Sequence, residues 1–151
     1  MRIIFIGTVE FSKTALNKLI NLGADIVGVS TLKKSKFNSD YVDLSPICKN
    51  NNILIYKAEN VNSKDNIMWI KKRRPDIIFC LGLSQLIKKE LLELTPLGVV
   101  GYHPTLLPSN RGRHPIIWSL ALGLKETGST YFFMDEGADT GDIISQEKVE
   151  I

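Results

Sequence analysis

The chain has 151 residues, 44% of them hydrophobic, and a formal net charge of +3 at pH 7. This length and composition predict one globular domain, residues 1–151, with enough apolar side chains to bury a core. The charge is too small to indicate a nucleic-acid partner by itself, because proteins that bind phosphate backbones usually concentrate a stronger basic face.

The cysteines and the apolar runs limit the remaining classes of protein. Cys48 and Cys80 lie in unrelated segments, which gives neither a disulfide framework nor a metal-ligand spacing. No metal site is predicted. The apolar start at residues 3–6 is too short for a signal peptide, and no run approaches the length of a membrane span. We therefore expect a cytoplasmic protein with no membrane partner.

The first predicted unit is a strand at residues 2–6, a turn at Gly7 and Thr8, a helix at residues 11–22 and a strand at residues 26–29. Apolar residues at helical spacing indicate the helix. The opening is Rossmann-like, but Gly7 stands alone where a dinucleotide-binding turn has three glycines. NAD binding is therefore disfavoured.

A polar stretch that contains two aromatic residues follows at residues 31–44. Long polar segments of this kind are usually functional or flexible. The stretch fits a substrate-facing loop and a solvent-exposed connector equally well.

The rest of the chain alternates predicted helices and strands. The helices are at residues 46–50, 66–72, 89–94 and from residue 115, and the strands are at residues 53–56, 76–81, 97–100, 129–134 and 143–151. Continuous apolar strands separated by helices indicate a parallel sheet covered on both faces. The sequence therefore predicts an α/β fold with a Rossmann-like, doubly wound, mostly parallel sheet.

Residues 101–113, with the sequence GYHPTLLPSNRGR, are predicted to form a loop at the carboxyl end of a buried strand. Open α/β sheets place their chemistry at that end. The loop presents His103 between Tyr102 and Pro104, and prolines fix φ and remove backbone donors. Imidazole is a general acid and base, but it is also an ordinary polar cap for a strand end, so both roles stay open here.

A second loop lies within residues 133–144, with the sequence FMDEGADTGDII. One predicted helix and one predicted strand separate its Asp139 from His103. A right-handed crossover of this kind returns the chain to a neighbouring strand at the same edge of the sheet. We therefore expect Asp139 to lie beside His103.

Three segments resemble the formyltransferases that use 10-formyltetrahydrofolate, which include the methionyl-tRNA, glycinamide ribonucleotide and sugar-nucleotide enzymes. The segments are residues 2–12 (RIIFIGTVEFS), 103–115 (HPTLLPSNRGRHP) and 125–143 (KETGSTYFFMDEGADTGDI), in the order and spacing of that family. The resemblance covers nearly the whole chain and implies the formyltransferase fold, with a C-terminal part of the catalytic domain missing after Ile151.

The resemblance also implies the catalytic groups. In the family a loop Asn, a His two residues later and a distant Asp carry catalysis, and His103 and Asp139 match the last two. Gly101 stands at the Asn position, so the amide that donates to the developing oxyanion is absent. A donor of that kind contributes about 3–4 kcal/mol in comparable sites. Asn110, Tyr102 and a backbone N–H are the candidate replacements.

The other implied contacts are with the two substrates. Folate-binding residues are expected at Ser84, Gln85, Leu86, Ile87, Asp135, Glu136 and Gly137, and acceptor-binding residues at Gly7, Thr8, Tyr102, Pro104 and Asn110. Asp135 and Glu136 fit turn residues before Gly137 better than catalytic groups. The segment that contains Arg111 is expected to support the catalytic loop.

We expect an N-formyltransferase that moves the formyl group of 10-formyltetrahydrofolate to a small polar amine, foremost an amino sugar on a nucleotide. The short polar segment and the lack of a transfer-RNA-binding extension favour a small acceptor. A methionyl-tRNA formyltransferase fragment, a formyltetrahydrofolate hydrolase and a non-catalytic binding module are the alternatives. No nucleic acid other than transfer RNA is expected as a partner. A homodimer is possible from the sequence.

Overall fold

The computed structural model describes residues 1–33 and 40–151. It contains two compact units, Met1–Val99 and Val100–Ile151. The strands are β1 (Arg2–Ile6), β2 (Asp25–Leu32), β3 (Ile55–Ala58), β4 (Ile77–Cys80), β5 (Val99–His103), β6 (Glu126–Phe133) and β7 (Ile143–Glu150). The helices are α1 (Glu10–Asn21), α2 (Ser45–Asn50), α3 (Lys64–Lys71), α4 (Lys89–Leu92) and α5 (Pro115–Ala121).

The first unit contains four parallel strands in the order β3-β2-β1-β4. This order reverses beside β1, as it does in Rossmann sheets, and helices connect the strands. Most of the largest fully buried side chains of the unit come from these strands and from helices α1, α3 and α4: Ile4, Phe5, Ile6, Leu16, Val29, Ile70, Ile78 and Leu91. The predicted α/β class, doubly wound and mostly parallel, is confirmed.

The turn after β1 is closely packed, which explains its glycine. A Cβ at Gly7 would lie 2.5 Å from the Leu81 carbonyl oxygen, so no larger residue fits without a backbone shift. The buried Ser12 hydroxyl accepts from the N–H groups of Thr8 (3.0 Å) and Val9 (3.1 Å), and it donates to Leu81 O (2.6 Å). Ser12 therefore satisfies backbone donors at the start of α1.

The second unit contains antiparallel strands, with β6 paired to both β5 and β7. The prediction that a loop begins at Gly101 is wrong, because β5 continues to His103, which lies opposite Thr130. The predicted right-handed crossover is also wrong, since β6 runs antiparallel to β5. Gly101 suggested a loop, but here it lies inside a strand. Pairing with the antiparallel strand β6 keeps residues 101–103 extended.

Side chains of the second unit are less buried than those of the first. Thr130 and Phe132 of β6 are buried, whereas every residue of β7 is exposed. Helix α5 begins at Pro115 as predicted, and Ile116, Ile117 and Trp118 are each more than half exposed.

The predicted polar segment at residues 31–44 starts too early, because Thr31 and Leu32 belong to β2. Residues 34–39 of that segment lie outside the described residues, so the choice between a substrate-facing loop and a solvent-exposed connector stays open. Tyr41 forms an isolated antiparallel bridge with Val9. Across the described residues, no helix combines the length and apolar character needed to cross a membrane.

Candidate active site

His103 ends β5, and its imidazole is almost fully buried, with 6% of the residue exposed. Side chains alternate along a strand, so Gly101 and His103 share one face of β5 and Tyr102 lies on the other. Tyr102 packs against Tyr131, its cross-strand partner, with ring centroids 5.2 Å apart. The Tyr102 phenol is therefore not beside the imidazole, which excludes it as the replacement for the missing amide.

Both nitrogens of the imidazole face oxygen atoms. His103 Nε2 lies 3.0 Å from the backbone oxygen of Asn110, and His103 Nδ1 lies 3.5 Å from Asp139 Oδ2. A carbonyl and a carboxylate accept hydrogen bonds and do not donate them, so each neutral tautomer satisfies only one of the two. The imidazolium form satisfies both. This arrangement suits a ring that takes up a proton during a reaction.

Asp139 is held by the loop that follows His103. Its Oδ2 accepts a hydrogen bond from Gly112 N (3.0 Å), and its backbone oxygen accepts one from Arg111 Nε (2.9 Å). Asp139 has φ of 55°, a left-handed conformation that Asp tolerates better than most residues. The expected support from the segment that contains Arg111 is thus seen as direct contacts. These contacts fix the carboxylate whose other neighbour is the ring.

The acidic turn before Asp139 is closed by its own side chains. Asp135 Oδ1 accepts from Gly137 N (3.0 Å) and from Thr140 Oγ1 (2.6 Å). This geometry favours the structural role that the sequence indicated for Asp135. Glu136 is exposed.

Met134 fills the space beside Gly101 where a family Asn side chain would begin. A Cβ on Gly101 would lie 2.8 Å from Met134 Cγ and 3.1 Å from Phe132 Cζ. Met134 was not among the residues predicted from the sequence. Its signal was available in the register, because Phe132 lies opposite Gly101 and Met134 is two residues further along. Asn110, the second candidate donor, presents its backbone oxygen to the ring. Its side-chain amide and a backbone N–H therefore stay the two candidates for the missing donor.

The comparisons with known proteins give one family. A family model described as "Formyl transferase" matches residues 1–151. The chain belongs to the formyltransferase family. It is 37% identical over 155 residues to the methionyl-tRNA formyltransferase of Clostridioides difficile (strain 630), covering 100% of this chain and 50% of that protein. The chain therefore spans about half the length of the curated relatives that it matches.

Solved structures support the same family. The phosphoribosylglycinamide formyltransferase from Bacillus halodurans matches with a TM-score of 0.83 and 25% identity, over 100% of this chain and 80% of that one. WlaRD, a sugar 3N-formyl transferase, matches with a TM-score of 0.71 and 23% identity, over 100% of this chain and 52% of that one. The second likeness shows the fold alone. Together they confirm the predicted formyltransferase fold.

The acceptor-binding residues that the formyltransferase resemblance implied lie in both units. In the first unit, Gly7 and Thr8 are buried at the end of β1, and Thr8 N donates to Gly82 O (3.1 Å). Within the described residues, the buried Thr8 Oγ1 has no hydrogen-bond partner. In the second unit, Pro104 O accepts from Thr127 Oγ1 (3.0 Å), and Asn110 is exposed. Their contacts with an acceptor stay a prediction.

The folate-binding segment that the resemblance implied at residues 84–87 is held by its own unit. Gln85 Oε1 accepts from Val61 N (2.9 Å), and Leu86 O accepts from Asn62 Nδ2 (2.8 Å). Ser84 and Leu86 are exposed, whereas Ile87 is buried. Ser84 and Leu86 leave part of this segment accessible to a ligand, and the role of the segment with folate stays a prediction.

In the part of the chain that the structure describes, no three or more His, Cys, Asp or Glu residues lie together in a way that could hold a metal ion. The chemistry that the arrangement offers is proton transfer at His103, with Asp139 as the charged neighbour.

Proposed function

We propose that the chain is the catalytic part of an enzyme that transfers the formyl group of 10-formyltetrahydrofolate to an amine. The observation that carries the proposal is the buried His103 ring between the Asp139 carboxylate and the Asn110 carbonyl. Membership of the formyltransferase family supplies the reaction class. The ring and the carboxylate supply the proton handling that such a transfer needs.

The proposed reaction begins when the neutral amine nitrogen attacks the formyl carbon. Negative charge then develops on the formyl oxygen, and positive charge develops on the attacking nitrogen. Collapse of this intermediate breaks the bond to the folate nitrogen, which takes a proton, while the new amide nitrogen loses one. His103 is placed to transfer protons, and the Asp139 carboxylate 3.5 Å away stabilises the ring while it is charged.

We propose methionyl-tRNA as the acceptor. The support is the 37% identity to a methionyl-tRNA formyltransferase along the entire chain. The expectation of an amino-sugar nucleotide depended partly on the lack of a transfer-RNA-binding extension. That ground does not hold for a chain that spans about half the length of its relatives. The amino-sugar nucleotide stays the competing acceptor, and the cytoplasm is the proposed location.

The test is an incubation of the protein with 10-formyltetrahydrofolate and each acceptor in turn: methionyl-tRNA, a panel of amino-sugar nucleotides, and glycinamide ribonucleotide. We expect formylation of methionyl-tRNA and a loss of that activity in His103→Ala. Formylation of an amino-sugar nucleotide alone would overturn the acceptor. Formate release that needs no amine would favour the hydrolase, and acceptor binding with no folate binding and no turnover would favour a binding module.

A further inference from the structure

His103, Thr130 and Gln146 form one row across three neighbouring strands. His103 lies opposite Thr130 in the β5–β6 register, and Thr130 lies opposite Gln146 in the β6–β7 register. Directly opposite residues project from the same face of a sheet, and neighbouring strands are about 4.8 Å apart. The Gln146 side chain is therefore on the face that carries the imidazole.

The Gln146 amide ties the loop after His103 to this row. Gln146 Nε2 lies 2.9 Å from Leu107 O and 2.9 Å from Thr130 Oγ1, and Thr130 Oγ1 donates to Thr105 O (2.6 Å). Because the Thr130 proton goes to Thr105 O, the Thr130 oxygen accepts from Gln146. One amide group thus holds two loop carbonyls, one directly and one through a hydroxyl.

Other side chains complete this ladder of hydrogen bonds to the loop. Thr127 Oγ1 donates to Pro104 O (3.0 Å), and Thr105 Oγ1 donates to Ser109 O (2.8 Å). Buried carbonyls without partners are costly, so these donors select one path for the loop. In this conformation of the loop, the backbone oxygen of Asn110 lies 3.0 Å from His103 Nε2.

We infer that Gln146 is a positioning residue for His103. Its amide fixes residues 105–107 at the place from which Asn110 can present its carbonyl to Nε2, and this contact sets which ring nitrogen carries a proton. The segments that resemble the formyltransferases end at residue 143, before Gln146. The Gln146 amide donates to a loop carbonyl and to the Thr130 hydroxyl, so polar contacts with the loop account for this side chain.

Two substitutions separate positioning from packing. Gln146→Leu removes the donor and keeps the approximate length of the side chain. Gln146→Glu keeps the shape but replaces the donor with a carboxylate facing the Leu107 carbonyl, which repels it. Glu147→Gln is the matched control, because residue 147 is next in β7 and points to the opposite face.

The primary readout is heteronuclear NMR of the imidazole nitrogens, which reports tautomer and hydrogen bonding whether or not the protein turns over a substrate. The chain has two histidines, so His114→Gln assigns the His103 signals. We expect both Gln146 variants to shift the His103 Nε2 signal and its pH profile, and Glu147→Gln to leave them unchanged. Thr130→Val removes the hydroxyl of the same relay and should shift the signal by a second route.

The kinetic readout rests on the proposed function. Gln146→Leu should lower kcat about tenfold, the size expected when a catalytic group is displaced by less than an ångström, while KM for the folate changes less than kcat. Folded Gln146 and Thr130 variants whose His103 signals match those of the wild type would overturn the inference. If the signals shift but no variant, the wild type included, transfers a formyl group, the inference stands and the proposed function fails.

Discussion

The two units of the chain are stabilised in different ways. In the first, Phe5, Leu16 and Ile78 are fully buried among parallel strands and helices. In the second, the segment after His103 is held by hydroxyl and amide hydrogen bonds to its carbonyls, and β7 is exposed throughout. Apolar burial therefore stabilises one unit, and satisfied polar groups specify the geometry of the other.

The two units are expected to contribute differently to the free energy of unfolding and to the proposed chemistry. His103 and Asp139 both belong to the unit with the smaller set of fully buried apolar residues. A hydrogen bond contributes only about 0.5–1.5 kcal/mol net, yet it fixes direction, which apolar contacts do not. Substitutions in the first unit should thus change the free energy of unfolding, and substitutions at the loop contacts of the second should change the rate.

The largest effect is expected at His103 and Asp139, the proposed proton-transfer pair. His103→Ala and Asp139→Asn should each lower kcat by about 10²–10⁴-fold, the usual range for a general acid or base. Asn is the informative replacement at 139, because it removes the charge and still tolerates the φ of 55°. The measurement is kcat from initial rates, with the folate concentration varied and the acceptor held at a saturating concentration.

The double variant tests whether the pair acts as one unit. Groups that act together are strongly non-additive, so His103→Ala with Asp139→Asn should be little slower than the slower single variant. Losses that add, or a His103→Ala protein with wild-type turnover, would remove the catalytic assignment. Unchanged melting curves in both single variants are the control for folding.

The second effect concerns the core of the first unit. Phe5 is fully buried in β1, so Phe5→Ala should lower the free energy of unfolding by about 3–5 kcal/mol through lost burial and the cavity that it leaves. Phe133→Ala in β6 is the matched control, because Phe133 is 41% exposed and should cost far less. Urea titration of both variants gives the difference, and equal losses would contradict the contrast between the units.

Much of the fold was predictable from the sequence because its signals are local. The apolar stripe and Gly23 predict α1 and its end, which the structure places at Asn21, and the buried run around Ile78 predicts β4. The error at Gly101–His103 has a non-local cause. Those residues are extended because β6 pairs with them. The sequence of β5 alone does not show that a strand after the next helix will pair with it.

One part of the candidate site could be predicted from the sequence. The resemblance and the predicted strand ends indicated that Asp139 lies beside His103, and their side chains are 3.5 Å apart in the structure. The positions of Met134 and Gln146 were not predicted, because they follow from the register across antiparallel strands. Register depends on which strands pair, and single-sequence patterns do not specify that.

The third effect tests the space beside the ring. Gly101→Asn should lower kcat about tenfold, because its Cβ would lie 2.8 Å from Met134 Cγ and force Met134 to move. Gly101→Asn combined with Met134→Ala should recover the loss, since the truncated side chain leaves room for the amide. A single Gly101→Asn variant that is faster than the wild type would mean that Met134 yields and that the missing amide limits the rate.

The smallest effect is a pH dependence of stability that belongs to the first unit. Burial raises the pKa of the Cys80 thiol from 9.0 to about 12, and burial with the neighbouring Asp43 charge raises that of Cys48 to about 11. Each thiol keeps its proton in the folded state at a pH where the unfolded chain has already lost it. The stability that each contributes is therefore complete below pH 9 and is lost as pH rises toward its folded pKa.

Cys80→Ala isolates the contribution of one thiol. Above pH 9 the wild type should lose about 1 kcal/mol more per pH unit than the variant, so the difference in unfolding free energy between them narrows as pH rises. Urea titrations of both proteins at pH 8, 9 and 10 measure it, and the lysines and tyrosines common to both proteins cancel in the difference. Parallel curves, or rapid alkylation of the wild-type thiols in the native state at pH 8, would show that Cys80 is not protected by the core and would weaken the contrast between the two units.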